Sequence, residues 1–265
     1  MTTSTESGNV GQGDTKQPGA RPAWIALVLA LMAAVLAAMS GFGHRLGWWP
    51  FTAGFAILAV AASLAVVASV LALATLIWSG RSAGQRVVVT AALALAVSLP
   101  VFAVPLHWLY LADTLPPIHD ITTDTRDPPE FVAILPLRRS APDSSTYGGP
   151  RVALLQKRAY PYVRPAILPV SPAQAFRDAL HVARSLGWHI VAAVPDAGRI
   201  EATDTTFWFG FTDDIVVRIR PQASGARVDL RSTSRVGVSD LGTNAHRIRA
   251  FLRALRKQLR RTESG

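Results

Sequence analysis

Three apolar runs between Pro22 and Leu111 constrain this chain more than any other feature. They extend from about Pro22 to Phe42, Phe51 to Trp78 and Val87 to Leu111. Crossing the hydrocarbon core of a bilayer takes roughly 20 mainly apolar residues in a helix, and each run meets that length. Trp24–Ala38, Phe51–Trp78 and Val87–Leu111 contain no Asp, Glu, Lys or Arg. Indole and phenol rings prefer the headgroup level, and Trp24, Trp48, Trp49, Trp78, Trp108 and Tyr110 stand at the ends of the runs. The runs are therefore read as three transmembrane helices forming an anchor over residues 22–111. Gly54, Ala61, Ala65, Ala68 and Ala72 recur at near-helical spacing, which lets helices approach closely. Pro100 and Pro105 predict a kink or an early end to the third helix. No Asp, Glu, Lys or Arg sits within the spans and no ionisable residue is expected to be buried there, so the usual mark of an ion path or transport site is missing.

Basic residues flanking spans are retained on the cytoplasmic side. Lys16 and Arg21 precede the first run, and Arg81 and Arg86 lie in the short loop between the second and third. Ala112 to Thr125 holds acids but no Arg or Lys. The expected arrangement is an inner-membrane protein of a bacterial cell with a cytoplasmic N-terminus and a periplasmic or otherwise extracytoplasmic C-terminal domain. Reading the first run as a cleaved signal peptide puts the domain on the same side. Residues 1–21, rich in Thr, Ser, Gly and Gln, are expected to form a disordered leader.

Beyond the third run the chemistry changes. From Ala112 onward there are 22 basic and 15 acidic residues, a net +7, within a chain of net charge +10. Nearly all the basic residues are arginine, because lysine occurs only at Lys16, Lys157 and Lys257. A basic domain on a membrane anchor suggests anionic headgroups before nucleic acid. The absence of cysteine excludes disulfides and thiolate metal sites.

Residues 112–150 are read as an extended connector, since Leu115–Pro150 contains seven of the 18 prolines. Residues 151–261 are read as the folded domain. Ser171-Pro172 is a helix start, and Phe176, Ala179, Leu180, Ala183 and Leu186 follow at helical spacing until Gly187. Runs with a period of two follow at Trp188–Val194, Arg199–Phe207, Ile215–Arg220 and Arg227–Ser234. A last helix over about Thr243–Arg260 aligns Ile248, Phe251, Leu252, Leu255 and Leu259. The expected fold is α+β: three transmembrane helices, then a two-layer domain with an antiparallel sheet of about four strands flanked by two helices.

Alternation in the last two strands sends Val217, Ile219, Val228 and Leu230 one way and Arg218, Arg220, Arg227, Asp229, Arg231 and Arg235 the other. Two helices cover one face, so the opposite face is expected either to be solvated and salt-bridged or to bind an anion or partner. Under the second reading, charge reversal at Arg218 and Arg231 abolishes binding without unfolding the domain. Asp213 and Asp214 suit either arginine pairing at a strand start or acid/base chemistry. Ser239, Asp240 and Asn244 suit either capping of the last helix or an anion site at its start. His107, His119, Asp120, Asp124 and Asp127 read as turn and loop residues rather than metal ligands.

The segments Ile200-Glu201-Ala202, Phe209-Gly210-Phe211-Thr212-Asp213-Asp214, Arg231-Ser232-Thr233-Ser234-Arg235-Val236-Gly237-Val238-Ser239-Asp240-Leu241-Gly242-Thr243-Asn244 and Arg247-Ile248-Arg249 resemble the DUF1499 family of bacterial and plastid proteins. Pro117–Asp124 and Tyr147-Gly148-Gly149 fit members with an N-terminal membrane anchor. The resemblance covers about Pro116 to Leu255. It implies the domain boundary and an envelope location but no reaction, and a cysteine found in some relatives is absent. The expected function is a non-enzymatic envelope module binding a partner, a lipid or an anionic ligand. The candidate residues are Asp213, Asp214, Arg218, Arg231, Ser234, Arg235, Ser239, Asp240, Asn244 and Arg247. The alternative is a hydrolase with Asp213 or Asp214 as base and Arg231 or Arg235 as oxyanion stabiliser. Its expected partners are the bilayer and an anionic lipid or envelope protein; no metal, cofactor or nucleic acid is expected.

Overall fold

A computed structural model describes residues 19–80 and 83–263, with side chains up to Arg260. The leader up to Pro18, with Lys16, and Arg81 of the orientation argument lie outside the described residues. The chain divides into two units: residues up to Ser40 with Thr52–Pro105, and Gly41–Phe51 with Leu106 onward.

The first unit holds most of α1 (Ala20–Arg45), α2 (Phe51–Ser79) and α3 (Gln85–Thr114), whose ends at 41–45 and 106–114 belong to the second, and all three are helices long and apolar enough to cross a membrane. Twenty-six residues in α1 at about 1.5 Å each exceed the hydrocarbon thickness of roughly 30 Å. Ala23, Ala26, Ala30, Ala68, Ala72, Ala91 and Ala94 form a buried small-residue seam with Val87. Without a hydrophobic drive inside lipid, close backbone approach and polar pairs hold such helices together, and Ser69 and Ser98 share a 2.7 Å hydrogen bond. α3 runs through Pro100 and Pro105 to Thr114, so neither proline ends it.

In the second unit a six-stranded sheet is built from β1 (Asp120–Thr122), β2 (Ala166–Leu168), β3 (His189–Val194), β4 (Arg199–Thr205), β5 (Thr212–Gln222) and β6 (Gly225–Ser234). All pairings are antiparallel, in the order β1-β6-β5-β4-β3. β2 also pairs β6, through residues 226–228, beyond the 231–233 stretch paired with β1. The periodicity shows β3–β6; β1 and β2 are three-residue additions that the alternation does not reveal.

Helices α5 (Pro172–Ser185) and α6 (Thr243–Glu263) cover one sheet face. Ser171 caps α5 by accepting from the Gln174 N–H at 3.2 Å, and Gly187, at φ 81°, lies just past its end. Phe176, Ala179 and Ala183 of α5 and Ile248, Phe251, Leu252, Leu255 and Leu259 of α6 are buried against Ile200, Ile215, Val217, Val228 and Leu230. Trp188 stacks on Phe251 with ring centroids 5.1 Å apart. A further helix, α4 (Gly149–Ala159), occupies the boundary between the expected connector and domain.

The opposite sheet face differs from a bare solvated surface. Residues 123–148 lie over it, with Phe131 and Ile134 buried against Val216. A short 3-10 turn, Leu135–Arg138, forms part of this cover.

Candidate functional site

The Asp213-Asp214 corner and the arginine-serine motif meet at one end of the sheet, where alternation separates their side chains onto its two faces. On the helical face Arg247 of α6 is the hub. Its guanidinium donates to Asp204 Oδ2 at 2.9 Å, to Asp213 Oδ2 at 2.6 Å and to Ser232 Oγ at 3.2 Å. It also donates to Asn244 Oδ1, one turn earlier on α6. Asn244 accepts from Ser232 Oγ at 2.6 Å and donates to Ser234 Oγ at 3.1 Å and to the His119 carbonyl at 2.9 Å.

Asp240 closes the start of α6, accepting from the Gly242 N–H at 2.9 Å and the Asn244 N–H at 2.8 Å. Burial raises its carboxyl above the usual aspartate value, and those two amides offset part of the rise. Ser239 Oγ accepts from the Leu241 N–H at 3.2 Å, and Leu241 itself is left-handed at φ 51°. These residues serve as caps and turn formers, so the helix start is already satisfied from within.

On the opposite face, Asp214 accepts from Arg138 at 2.6 Å and from Arg235 at 2.8 Å. Arg231, with a side chain 3% exposed, grips Asp120 bidentately at 2.9 and 2.7 Å. Its guanidinium lies 5.0 Å from the Phe131 ring and 5.6 Å from the Tyr147 ring. Arg218, Arg220 and Arg227 converge on buried Asp229 at 3.2, 3.4 and 3.0 Å and reach Asp124 as well. The Asp229 hydrogen bond raises the Arg227 pKa further, while Arg220 and then Arg218 hold Asp127 below the usual carboxylate value.

This arrangement corrects the expected outcome of charge reversal at Arg231, and of the two readings of Asp213 and Asp214 it matches arginine pairing. Arg231 is a buried structural cation, so reversing its charge strikes the fold itself. Asp213 and Asp214 point to different faces and are each neutralised by arginine, so they do not form a joint acid/base pair. Arg231 and Arg235 both lie on the Asp214 face, where Arg231 holds Asp120. Asp120, Asp124 and Asp127 likewise direct their oxygens at Arg231, Arg227 and Arg220.

Two features lie outside the site residues that the sequence suggests. Glu201, fully buried, accepts the N–H groups of Val132, Ala133 and Ile134 at 2.9–3.0 Å and pairs with Arg199 at 2.9 Å. Its sequence signal is slight, an acid between Ile200 and Ala202 in β4. An open groove of about 590 Å³ lies between α4 and the start of the covering segment, lined by Thr125, Arg126, Pro128, Tyr147, Leu154 and Lys157 among others. Burial pushes the Tyr147 hydroxyl well above its ordinary pKa, so it stays protonated.

Several of the arginines that the sequence places along the last helix belong to a cationic surface. Arg177, His181 and Arg184 of α5, with His246, Arg249, Arg253, Arg256 and Lys257 of α6, are exposed. Among the described residues Arg253, Arg256 and Lys257 make no ion pair, whereas every sheet arginine does. Arg249 lies 5.0 Å from the Tyr162 ring. Helical spacing places Arg249, Arg253, Arg256 and Lys257 along one outer stripe.

No curated protein matches the chain. A family model described as a protein of unknown function, DUF1499, matches residues 120–255, just over half of the 265. The match begins at the aspartate that holds Arg231 and ends on α6, so it takes in both polar clusters. The chain is a member of the DUF1499 family, carrying that region behind three helices able to cross a membrane.

Proposed function

We propose that this chain is a non-enzymatic, membrane-anchored module of the cell envelope whose extracytoplasmic region binds an anionic ligand through the outer faces of α5 and α6. One observation carries the reading: the stripe Arg249, Arg253, Arg256 and Lys257 is exposed with no carboxylate partner among the described residues, while the sheet arginines are committed to internal pairs. Guanidinium groups donate to phosphate or carboxylate oxygens in a planar fork, which suits such a surface to anions. The carboxylates of the polar clusters are bound by guanidinium or backbone amides, which supports binding over acid/base chemistry. Arg21 and Arg86 flank the ends of α1 and α3 expected to face the cytoplasm, which supports the placement.

The test uses the full-length chain in neutral nanodiscs, titrated with vesicles of phosphatidylcholine containing phosphatidylglycerol, and separately with an anionic polysaccharide. Each surface cation adds about 1 kcal/mol near an anionic membrane, so Arg253→Gln, Arg256→Gln and Lys257→Gln together should weaken vesicle binding on the order of 100-fold. Binding should also fall as salt rises. Equal binding by the triple variant and the parent refutes the proposal. Preference for the polysaccharide identifies a soluble polyanion as the ligand.

A further inference from the structure

We propose that the β4–β5 connection, Thr206–Phe211, is a lipid-contacting element that seats the Phe207 ring in the boundary between headgroups and acyl chains. This rests on α1 and α3 spanning a bilayer and is independent of the anion-binding stripe.

Exposed loop tips are ordinarily polar, yet this one reads Thr206-Phe207-Trp208-Phe209-Gly210-Phe211. Phe207 is 78% exposed. It packs edge-on against Phe42 at a centroid distance of 5.4 Å. The Arg45 guanidinium lies 5.9 Å from the same ring. Arg45 also donates to the Thr206 carbonyl at 3.1 Å and to the Phe207 carbonyl. Trp208 lies 5.5 Å from Trp108 and against Gly41, where an added Cβ would fall 2.2 Å from the indole Cδ1. Gly210 is left-handed at φ 68°, and a Cβ there would stand 2.9 Å from Arg45 Cγ.

All these residues belong to the second unit, and Phe42, Arg45 and Trp108 also stand near ends of helices long enough to span. Aromatic residues at span ends mark the headgroup level, and Trp48 and Tyr110 there are 62% and 63% exposed. Contact with Phe42 and Trp108 therefore fixes the hairpin tip at that depth. Arg45 can hold its stem among the rings while its charge stays near the headgroups.

The backbone supplies a second, separate argument. Polar backbone groups near hydrocarbon need partners within the protein. Here the Thr206 N–H donates to the Phe211 carbonyl at 2.8 Å, the Gly210 N–H to the Thr206 carbonyl at 3.1 Å, and the Phe211 N–H to Thr206 Oγ1 at 2.9 Å. With Arg45 on the Thr206 and Phe207 carbonyls, several of the loop's backbone groups are paired within the protein beside an exposed apolar ring.

Because the chain contains no cysteine, a single introduced one can be spin-labelled without other changes. Phe207→Cys is labelled in full-length protein reconstituted in phosphatidylcholine bilayers, and collision with oxygen and with a water-soluble nickel chelate is compared. Ser224→Cys, in the turn between β5 and β6, is the aqueous reference, at the far end of an 11-residue strand, roughly 35 Å away. The Phe207→Cys label is expected roughly 5–10 Å into the interface, and the Ser224→Cys label in water. Thr205→Cys, on the exposed strand end beside the loop, provides a second site should Phe207→Cys fail to fold, with a label expected in the headgroup layer. Water-like accessibility at whichever of these two sites folds overturns the proposal. So does dipolar broadening at Phe207→Cys, which would show a second copy covering the ring instead of lipid. Neither result depends on vesicle binding by the α6 stripe.

Discussion

Arg231 shows how much of this fold depends on single charges. Its guanidinium and the Asp120 carboxylate are both almost removed from water, 3% and 8% exposed. Bringing two ions out of water is costly, and the pair is tolerable because donors and acceptors match bidentately. Arg231→Ala leaves Asp120 buried without its cation and should cost roughly 3–5 kcal/mol. Arg218→Ala should cost much less, because Arg220 and Arg227 remain on Asp229. Urea denaturation of the full chain in detergent, followed by tryptophan fluorescence, compares the two; equal midpoints would refute the ranking. Asp240 makes a prediction of the opposite electrostatic kind. Burial raises its folded pKa above 3.8, so the native state holds the proton more tightly than the unfolded chain. Its contribution favours folding below the raised pKa and declines as pH rises through it. Asp240→Asn should flatten that part of the stability curve, read as the difference in melting temperature from the parent over about pH 4 to 7. A parallel pair of curves would show that Asp240 does not titrate in this window.

At the scale of elements, the segment over residues 123–148 explains why the second sheet face is closed. Pro128, Pro129, Pro136 and Pro142 lack the N–H groups that a strand would use, and most of the segment has no regular structure. Its backbone is instead held by sheet side chains. Glu201 takes three of its amides, and Arg231 donates to the Pro129 and Ser145 carbonyls at 3.3 and 2.7 Å. Arg138, within the segment, ties the Asp143, Ser144 and Ser234 carbonyls together. Glu201→Ala removes three acceptors at once and should cost on the order of 3 kcal/mol, with Glu201→Gln intermediate. Hydrogen exchange at the Val132, Ala133 and Ile134 amides should accelerate in the same order. Unchanged protection in Glu201→Ala would refute this account of the cover.

The same elements show where the sequence was readable. α5, α6 and β3–β6 repeat their apolar residues at regular intervals, so their faces follow from spacing alone. α4 gathers its apolar residues mainly in one short run, Val152–Leu155, and its buried Gln156 acts through a reciprocal pair with the Thr122 backbone at 3.0 and 2.7 Å, a distant partner no local pattern discloses. β1 and β2 exist because they pair β6. The candidate residues were recognisable as a cluster, but their roles were not, since Arg138 and Asp120 come from the stretch that its prolines mark as extended.

For the whole molecule, the decisive quantity is the side of the membrane on which the second unit lies. Only α3 lies between the α2–α3 loop and the sheet, so the two should face opposite compartments if α3 spans. Arg86 at the start of α3 favours the cytoplasmic side for that loop, because basic residues beside spans are retained there. The cysteine-free sequence makes the point testable in intact cells. Gln85→Cys at the start of α3 and Ser224→Cys in the β5–β6 turn are both exposed positions. A membrane-impermeant maleimide should label Ser224→Cys in intact spheroplasts and Gln85→Cys only after permeabilisation. The reverse pattern would place the basic stripe of α6 in the cytoplasm. Labelling of both before permeabilisation would mean that α3 does not cross, removing the basis for setting the hairpin tip at the headgroup level.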